Sequence, residues 1–160
     1  MSASRKPAPA SAEHAPLQLE HFLPYRLSIL SNTISQTIAD DYQSRYAISM
    51  TEWRVMAVLA RFEGLSAREV AERTAMDKVA VSRALSRLVD AGRVDRSTHD
   101  EDKRRSVLRL SAAGWIMHDE VAPMARARER ELLAKLDPDE RVWLVRILDK
   151  LLPAEGDHQR

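Results

Sequence analysis

From Leu17 onward apolar residues recur at helical spacing, broken once by a stretch with the two-residue period of a strand. Leu27, Leu30, Ile34, Ile38 and Tyr42 follow at steps of three and four, one stripe of a long first helix. Pro24 suits its first turn, where a missing N–H costs nothing. Val55, Leu59 and Phe62 mark a second helix from about Thr51 to Phe62, with Gly64 as its stop. Ser66-Ala67-Arg68-Glu69 has the form of a capping box and opens a short third helix carrying Val70, Ala71 and Thr74. Asp77 then caps a fourth helix, Lys78 to Ala91, closed by Gly92. The tight break between the third and fourth helices near residues 75–77 makes the pair a helix-turn-helix candidate.

After Gly92 the period shortens. Val94 precedes a polar run, Arg96–Arg105, and Ser106-Val107-Leu108-Arg109-Leu110 then alternates with Leu108 and Leu110 on one face, a hairpin with a long charged tip. Ser111 caps a fifth helix, kinked at Pro123 and running to about Leu136. Asp137-Pro138-Asp139-Glu140 starts a last helix with Leu144, Ile147, Leu148 and Leu151 on one face, ending before Pro153. The fold class expected is mostly α with a small β-hairpin wing. A winged helix-turn-helix at 48–111 is flanked by helices at 17–47 and 112–152 in a single domain spanning 17–152. The flanking stripes exceed what so small a core can cover, so they are assigned to dimerisation with a second copy. Residues 1–16 are Pro/Ala/Ser-rich and read as a disordered tail; 153–160 form a second tail.

Composition narrows the function. There is no cysteine, which excludes disulfides, thiol nucleophiles and cysteine-based zinc sites. Four glycines leave no clustered phosphate-binding loop. Five scattered histidines form no ligand pair, so no metal and no cofactor is expected. The carboxylates form no constellation distinguishable from surface salt bridges, so an enzyme is not expected. No membrane span is expected, and the N-terminal Arg5 and Lys6 are not followed by an apolar stretch; a cytoplasmic location is the default. The overall charge is only +1, so a polyanion partner has to be argued locally. From Asp77 to Arg109 nine basic residues stand against six acidic ones. On the fourth helix Val81, Leu85, Leu88 and Val89 form an apolar back, while Lys78, Ser82, Arg83, Ser86 and Arg87 take the opposite face. That is the division a major-groove helix needs. Arg83 and Arg87 suit guanine edges or phosphates, and Ser66 at a helix N-terminus suits a phosphate; a solvated helix face and a simple cap are the bland alternatives.

Three stretches carry a family resemblance: Leu65–Glu72, Asp77–Leu85 and Leu88–Arg96, with Asp102-Lys103-Arg104-Arg105-Ser106-Val107-Leu108-Arg109-Leu110-Ser111 as an Asp-x-Arg wing signature. They resemble the MarR family of winged helix-turn-helix transcriptional regulators over roughly Leu17 to Leu152. The resemblance implies a homodimeric repressor on double-stranded DNA at a pseudo-palindromic operator, released by a small anionic, aromatic ligand. Arg104 then enters the minor groove with Lys103 and Arg105 on the backbone. The absence of cysteine excludes the thiol-oxidation switch some members use. Arg26, a basic residue among apolar ones in His21–Ser28, is the expected partner for the carboxylate or phosphate of an aromatic acid or its CoA thioester. The competing reading is a winged-helix protein-interaction module without DNA binding. Trp53, Trp115 and Trp143 are expected in the core.

Overall fold

The computed structural model describes residues 16–98 and 106–152. In order these form a 3-10 turn (Leu19–His21), then α1 (Leu23–Tyr46), α2 (Met50–Arg61), α3 (Ala67–Thr74) and α4 (Lys78–Asp90). A hairpin of β1 (Val94–Thr98) and β2 (Ser106–Leu110) follows, then α5 (Ala112–Leu133) and α6 (Pro138–Leu151). The expected tail at 153–160 and all but Pro16 of the tail at 1–16 lie outside the described residues. Two compact units divide inside α1, at Thr33 and Ile34. In the first, Leu17, Phe22, Leu23, Tyr25, Leu27 and Leu30 are all exposed, so this half of the α1 stripe is uncovered.

The second unit is built on one core. Val55, Met56 and Leu59 of α2 meet Val70 and Ala71 of α3, Val81, Ala84, Leu85 and Leu88 of α4, and Val94, Leu108 and Leu110 of the hairpin. α2 starts at Met50, one residue before the expected position, with Ser49 as its cap. The Glu52 amide donates to Ser49 Oγ at 3.2 Å and the Ser49 amide donates to Glu52 Oε2 at 2.6 Å. Phe62 sits at the C-terminal cap of α2 instead of within it, its ring between the guanidinium groups of Arg61 and Arg73. α4 ends in a Schellman motif: the Gly92 amide donates to the Val89 carbonyl and the Arg93 amide to the Leu88 carbonyl, with Gly92 at φ +66°. The α3–α4 break turns through Ala75, which takes a left-handed φ of 51° without the relief a glycine would give.

The hairpin pairs Val94 with Leu110 through to Thr98 with Ser106. The expected alternation is incomplete, because Val107 is buried along with Leu108 and Leu110. The reason is a third segment. The Leu108 amide donates to the Leu65 carbonyl at 2.8 Å, and the Gly64–Leu65 turn lies over the other face, where Val107 Cγ1 is 3.6 Å from the position of a Cβ on Gly64.

A smaller cluster joins the C-terminal half of α1 to α2 and α5: Ala39, Tyr42, Ile48 and Val121 are buried, with Trp53 and Met124 against them. Met117 of α5 touches both clusters. Arg128 of α5 donates from Nε and Nη2 to the two carboxylate oxygens of Asp41, each at 2.6 Å. That fork holds the Asp41 carboxyl below the usual carboxylate range. Burial pushes the Tyr42 hydroxyl up to about 12, and it has no hydrogen-bond partner among the described residues.

α5 continues through Pro123, although that residue has no N–H for the Asp119 carbonyl. It stops at Leu133 rather than Leu136, where Arg141 Nε donates to the Leu133 and Leu136 carbonyls. Two of the three tryptophans are not core residues: Trp53 is half-buried, but Trp115 is 37% and Trp143 59% exposed. Trp143 lies on a helix where Leu144 alone is not exposed, so among the described residues no other element covers its ring.

The junction of α5 with the wing is close-packed. Ser111 Oγ donates to the Gly92 carbonyl at 2.6 Å and accepts the Gly114 amide at 3.0 Å, while the Ser111 amide donates to the Arg93 carbonyl at 3.1 Å. A Cβ on Gly114 would stand 2.1 Å from the Arg93 carbonyl oxygen. In an open helix Gly→Ala stabilises; here Gly114→Ala is expected to destabilise by about 1–3 kcal/mol, because backbone has to move. Urea unfolding of the two proteins checks the sign, and a more stable alanine variant would disprove the close approach.

Candidate nucleic-acid interface

α4 is oriented by its buried side. Val81, Ala84, Leu85 and Leu88 are each at most 3% exposed and set its rotation about its own axis. Lys78, Ser82, Arg83, Ser86 and Arg87 are then all exposed, as the sequence pattern requires, and Val89 is half-buried at the edge of the apolar side. Among the described residues no hydrogen bond or ion pair is found for Lys78, Arg83 or Arg87, which leaves their charges available to an external anion.

Both helix N-termini of the helix-turn-helix are already closed by carboxylates. Asp77 Oδ1 accepts from the Val79 and Ala80 amides at 3.0 and 2.9 Å. At α3 the Ser66 hydroxyl donates to Glu69 Oε2 at 2.7 Å and accepts the Glu69 amide at 3.3 Å, while the Ser66 amide donates to the same carboxylate at 2.7 Å. A phosphate reaching Ser66 has to take the place of that carboxylate, so positive potential comes from side chains more than from helix ends.

The wing's root is described and its tip is not. Arg96 and Arg109 are exposed on the strands, whereas Lys103, Arg104 and Arg105, expected at the tip, lie outside the described residues. Arg93 is committed elsewhere, its Nη2 donating to the Tyr46 carbonyl at 3.3 Å. Arg26, in the first turns of α1, is exposed in the first unit.

A sequence profile of the MarR family matches residues 48–105, the segment from the start of α2 to the wing tip. An HTH-type transcriptional repressor of Mycobacterium tuberculosis is 27% identical over 141 residues, 88% of this chain and 96% of that protein. Over that segment the chain is similar to the MarR family. Solved MarR-family structures place the whole architecture alongside it. A MarR/EmrR regulator from Acinetobacter superposes with a TM-score of 0.76 at 27% identity over 84% of this chain and 95% of the other. A cysteine-to-serine variant of Escherichia coli MarR, solved in complex with operator DNA, superposes with a TM-score of 0.73 at 25% identity over 87% and 100%. The likeness is to transcriptional regulators, and the matched segment is the winged helix-turn-helix of this chain. Among the described residues no helix is long and apolar enough to cross a membrane, and no cluster of three or more His, Asp or Glu is placed to hold a metal.

Sequence reasoning passed over one exposed residue on the α4 face, Val79, which is 56% exposed. The signal was available: an apolar residue off the buried stripe, one position after a cap. It also passed over the Trp53–His118–Trp115 ring cluster, in which His118 stacks on Trp53 at 5.7 Å and meets Trp115 edge-on at 5.4 Å. Residues 65 positions apart reveal no such contact in a linear pattern. The cap of α4 is exposed. Asp77→Ala is expected to cost about 1 kcal/mol in urea unfolding, because two amides lose their acceptor, while Asp77→Asn keeps most of that stability. Equal losses in both variants would show that the cap hydrogen bonds are not what Asp77 contributes.

Proposed function

We propose that this chain is a cytoplasmic, homodimeric, sequence-specific MarR-family repressor that sets two copies of α4 into successive major grooves of a pseudo-palindromic operator, about one DNA turn apart. The observation that carries this is the division of α4: four buried apolar residues on one side, and on the other small polar and unpaired basic side chains. In this reading Arg83 and Arg87 reach base edges or phosphates, Lys78, Ser82 and Ser66 contact the backbone or neighbouring bases, and Arg104 enters the minor groove between Lys103 and Arg105. The superposable Escherichia coli MarR variant, solved in complex with operator DNA, supports a DNA-binding role.

Support for the dimer is the apolar surface left on the terminal elements. Trp143, Ile147 and Leu151 recur every four residues along α6 and are each at least half exposed. On α1, Leu23, Leu27 and Leu30 are likewise exposed. A second copy covers such stripes without any further component. Fluorescence anisotropy against the DNA upstream of the regulator's own coding region and against random duplex, at two salt concentrations, tests the DNA reading. Preferential binding to the upstream DNA is expected, and Arg83→Ala should weaken it by about 1–3 kcal/mol while leaving random-duplex binding much less affected. Absence of binding to either duplex would favour the protein-interaction module instead.

The effector of this reading is a small anionic aromatic molecule, an aromatic acid or its CoA thioester, which binds the DNA-released state more tightly than the bound one. What supports it is Arg26, an exposed guanidinium set among exposed Phe22, Leu23, Tyr25 and Leu27. An arginine flanked by apolar surface suits a ligand with a charged end and a ring. Losing a charged hydrogen bond should raise the concentration of benzoate-type acid needed for half-release by about tenfold or more in Arg26→Ala, with dimerisation and operator affinity intact. An unchanged release curve would remove Arg26 from the effector site.

A further inference from the structure

We propose that Val79 is a base-reading residue of α4, recognising the 5-methyl group of a thymine in the major groove; the inference rests on the DNA-binding reading above and adds to it a specificity element that is apolar. At 3.6 residues per turn, Val79 lies within roughly 10° of the direction opposite the mean of Val81, Ala84, Leu85 and Leu88, so in the N-terminal half of α4 it is the residue aimed most directly away from the core. Arg83 and Ser86 share that outward face one and two turns further on. More than half of the Val79 side chain is exposed, at 56%, on a helix whose other large apolar residues are buried or half-buried.

The local backbone holds this side chain ready. The Val79 amide is bound by Asp77 Oδ1 at 3.0 Å, which pins the first turn of the helix. A β-branched side chain in a helix has essentially one χ1 rotamer, so the two methyl groups are presented in a defined direction with little entropy left to lose. Valine forms helix less readily than alanine, so nothing in the stability of an exposed helix favours it here. In the major groove the thymine C5-methyl is the apolar feature of the base edges, and aliphatic side chains recognise it by contact. Val79 and Arg83 are about 6 Å apart along the helix axis, roughly two base-pair steps, so one half-site can present the thymine beside the base that Arg83 reaches.

The experiment uses the full-length protein and a duplex recovered by selection from a random pool. Each thymine of one half-site is replaced in turn by deoxyuridine, which removes only the methyl group. One position is expected to weaken wild-type binding about fourfold, the equivalent of one buried methylene, and Val79→Ala should show nearly equal affinity for the thymine and deoxyuridine duplexes at that position. The melting temperature of Val79→Ala should equal or slightly exceed that of wild type, which separates lost recognition from lost folding. If no deoxyuridine substitution weakens binding, or if Val79→Ala retains the full wild-type discrimination, Val79 does not read a thymine although the DNA reading stands. If selection recovers no preferred sequence, the DNA-binding reading fails, and this inference with it.

Discussion

The close approach of α5 to the α4–β1 turn is the constraint on which the rest of the structure depends. Gly114 lets the first turn of α5 lie directly on the Arg93 carbonyl, and Ser111 fastens the same turn through the Gly92 and Arg93 carbonyls. That turn is itself the Schellman end of α4 and the root of the wing. One small patch of backbone therefore joins α4, the hairpin and the long helix α5. Interiors packed this closely transmit displacement instead of absorbing it.

A second connection runs parallel to the first. Met117 belongs to both apolar clusters, and one turn of α5 also carries His118 against Trp53 of α2. Further along, the Arg128 fork on Asp41 ties α5 to the C-terminal half of α1. A movement of α5 is thus felt at the wing root, at α2 and at the second half of α1 together. Ligand control of spacing between DNA-binding elements needs this kind of stiff linkage, because a ligand shifts an equilibrium only through contacts that differ between the two states.

The electrostatics of the site are assembled from side chains more than from helix ends. Asp77 and Glu69 occupy the N-termini of α4 and α3, cancelling the partial positive charge that an exposed helix start offers a phosphate. Lys78, Arg83 and Arg87 carry the positive potential on the described surface, and they do so from a face with serines and a valine between them. In the proposed reading such a mixture suits discrimination among base edges, whereas a purely basic face holds any duplex through its phosphates alone.

Local rules sufficed for the elements with local causes. The Ser66–Glu69 box, the Asp77 cap, the Gly92 stop and the Asp137-Pro138 start are all contacts between residues two to five apart, and each stands in the structure where its residues imply. α2 starts at Met50, one residue before the expected Thr51, because Glu52, three residues after Ser49, completes a capping box with it. What sequence could not supply depends on distant segments. Val107 is buried because the Gly64–Leu65 turn covers it, and Gly114 is small because Arg93 is there. Trp115 and Trp143 look like core residues in a linear pattern, yet they are exposed because apolar character says that a side chain favours burial and not whether an element of the same chain reaches it. Short-range hydrogen bonding and periodicity thus determined the elements and the two faces of α4, while which surfaces met, and which apolar stripes stayed open, was decided only when packing brought remote residues together.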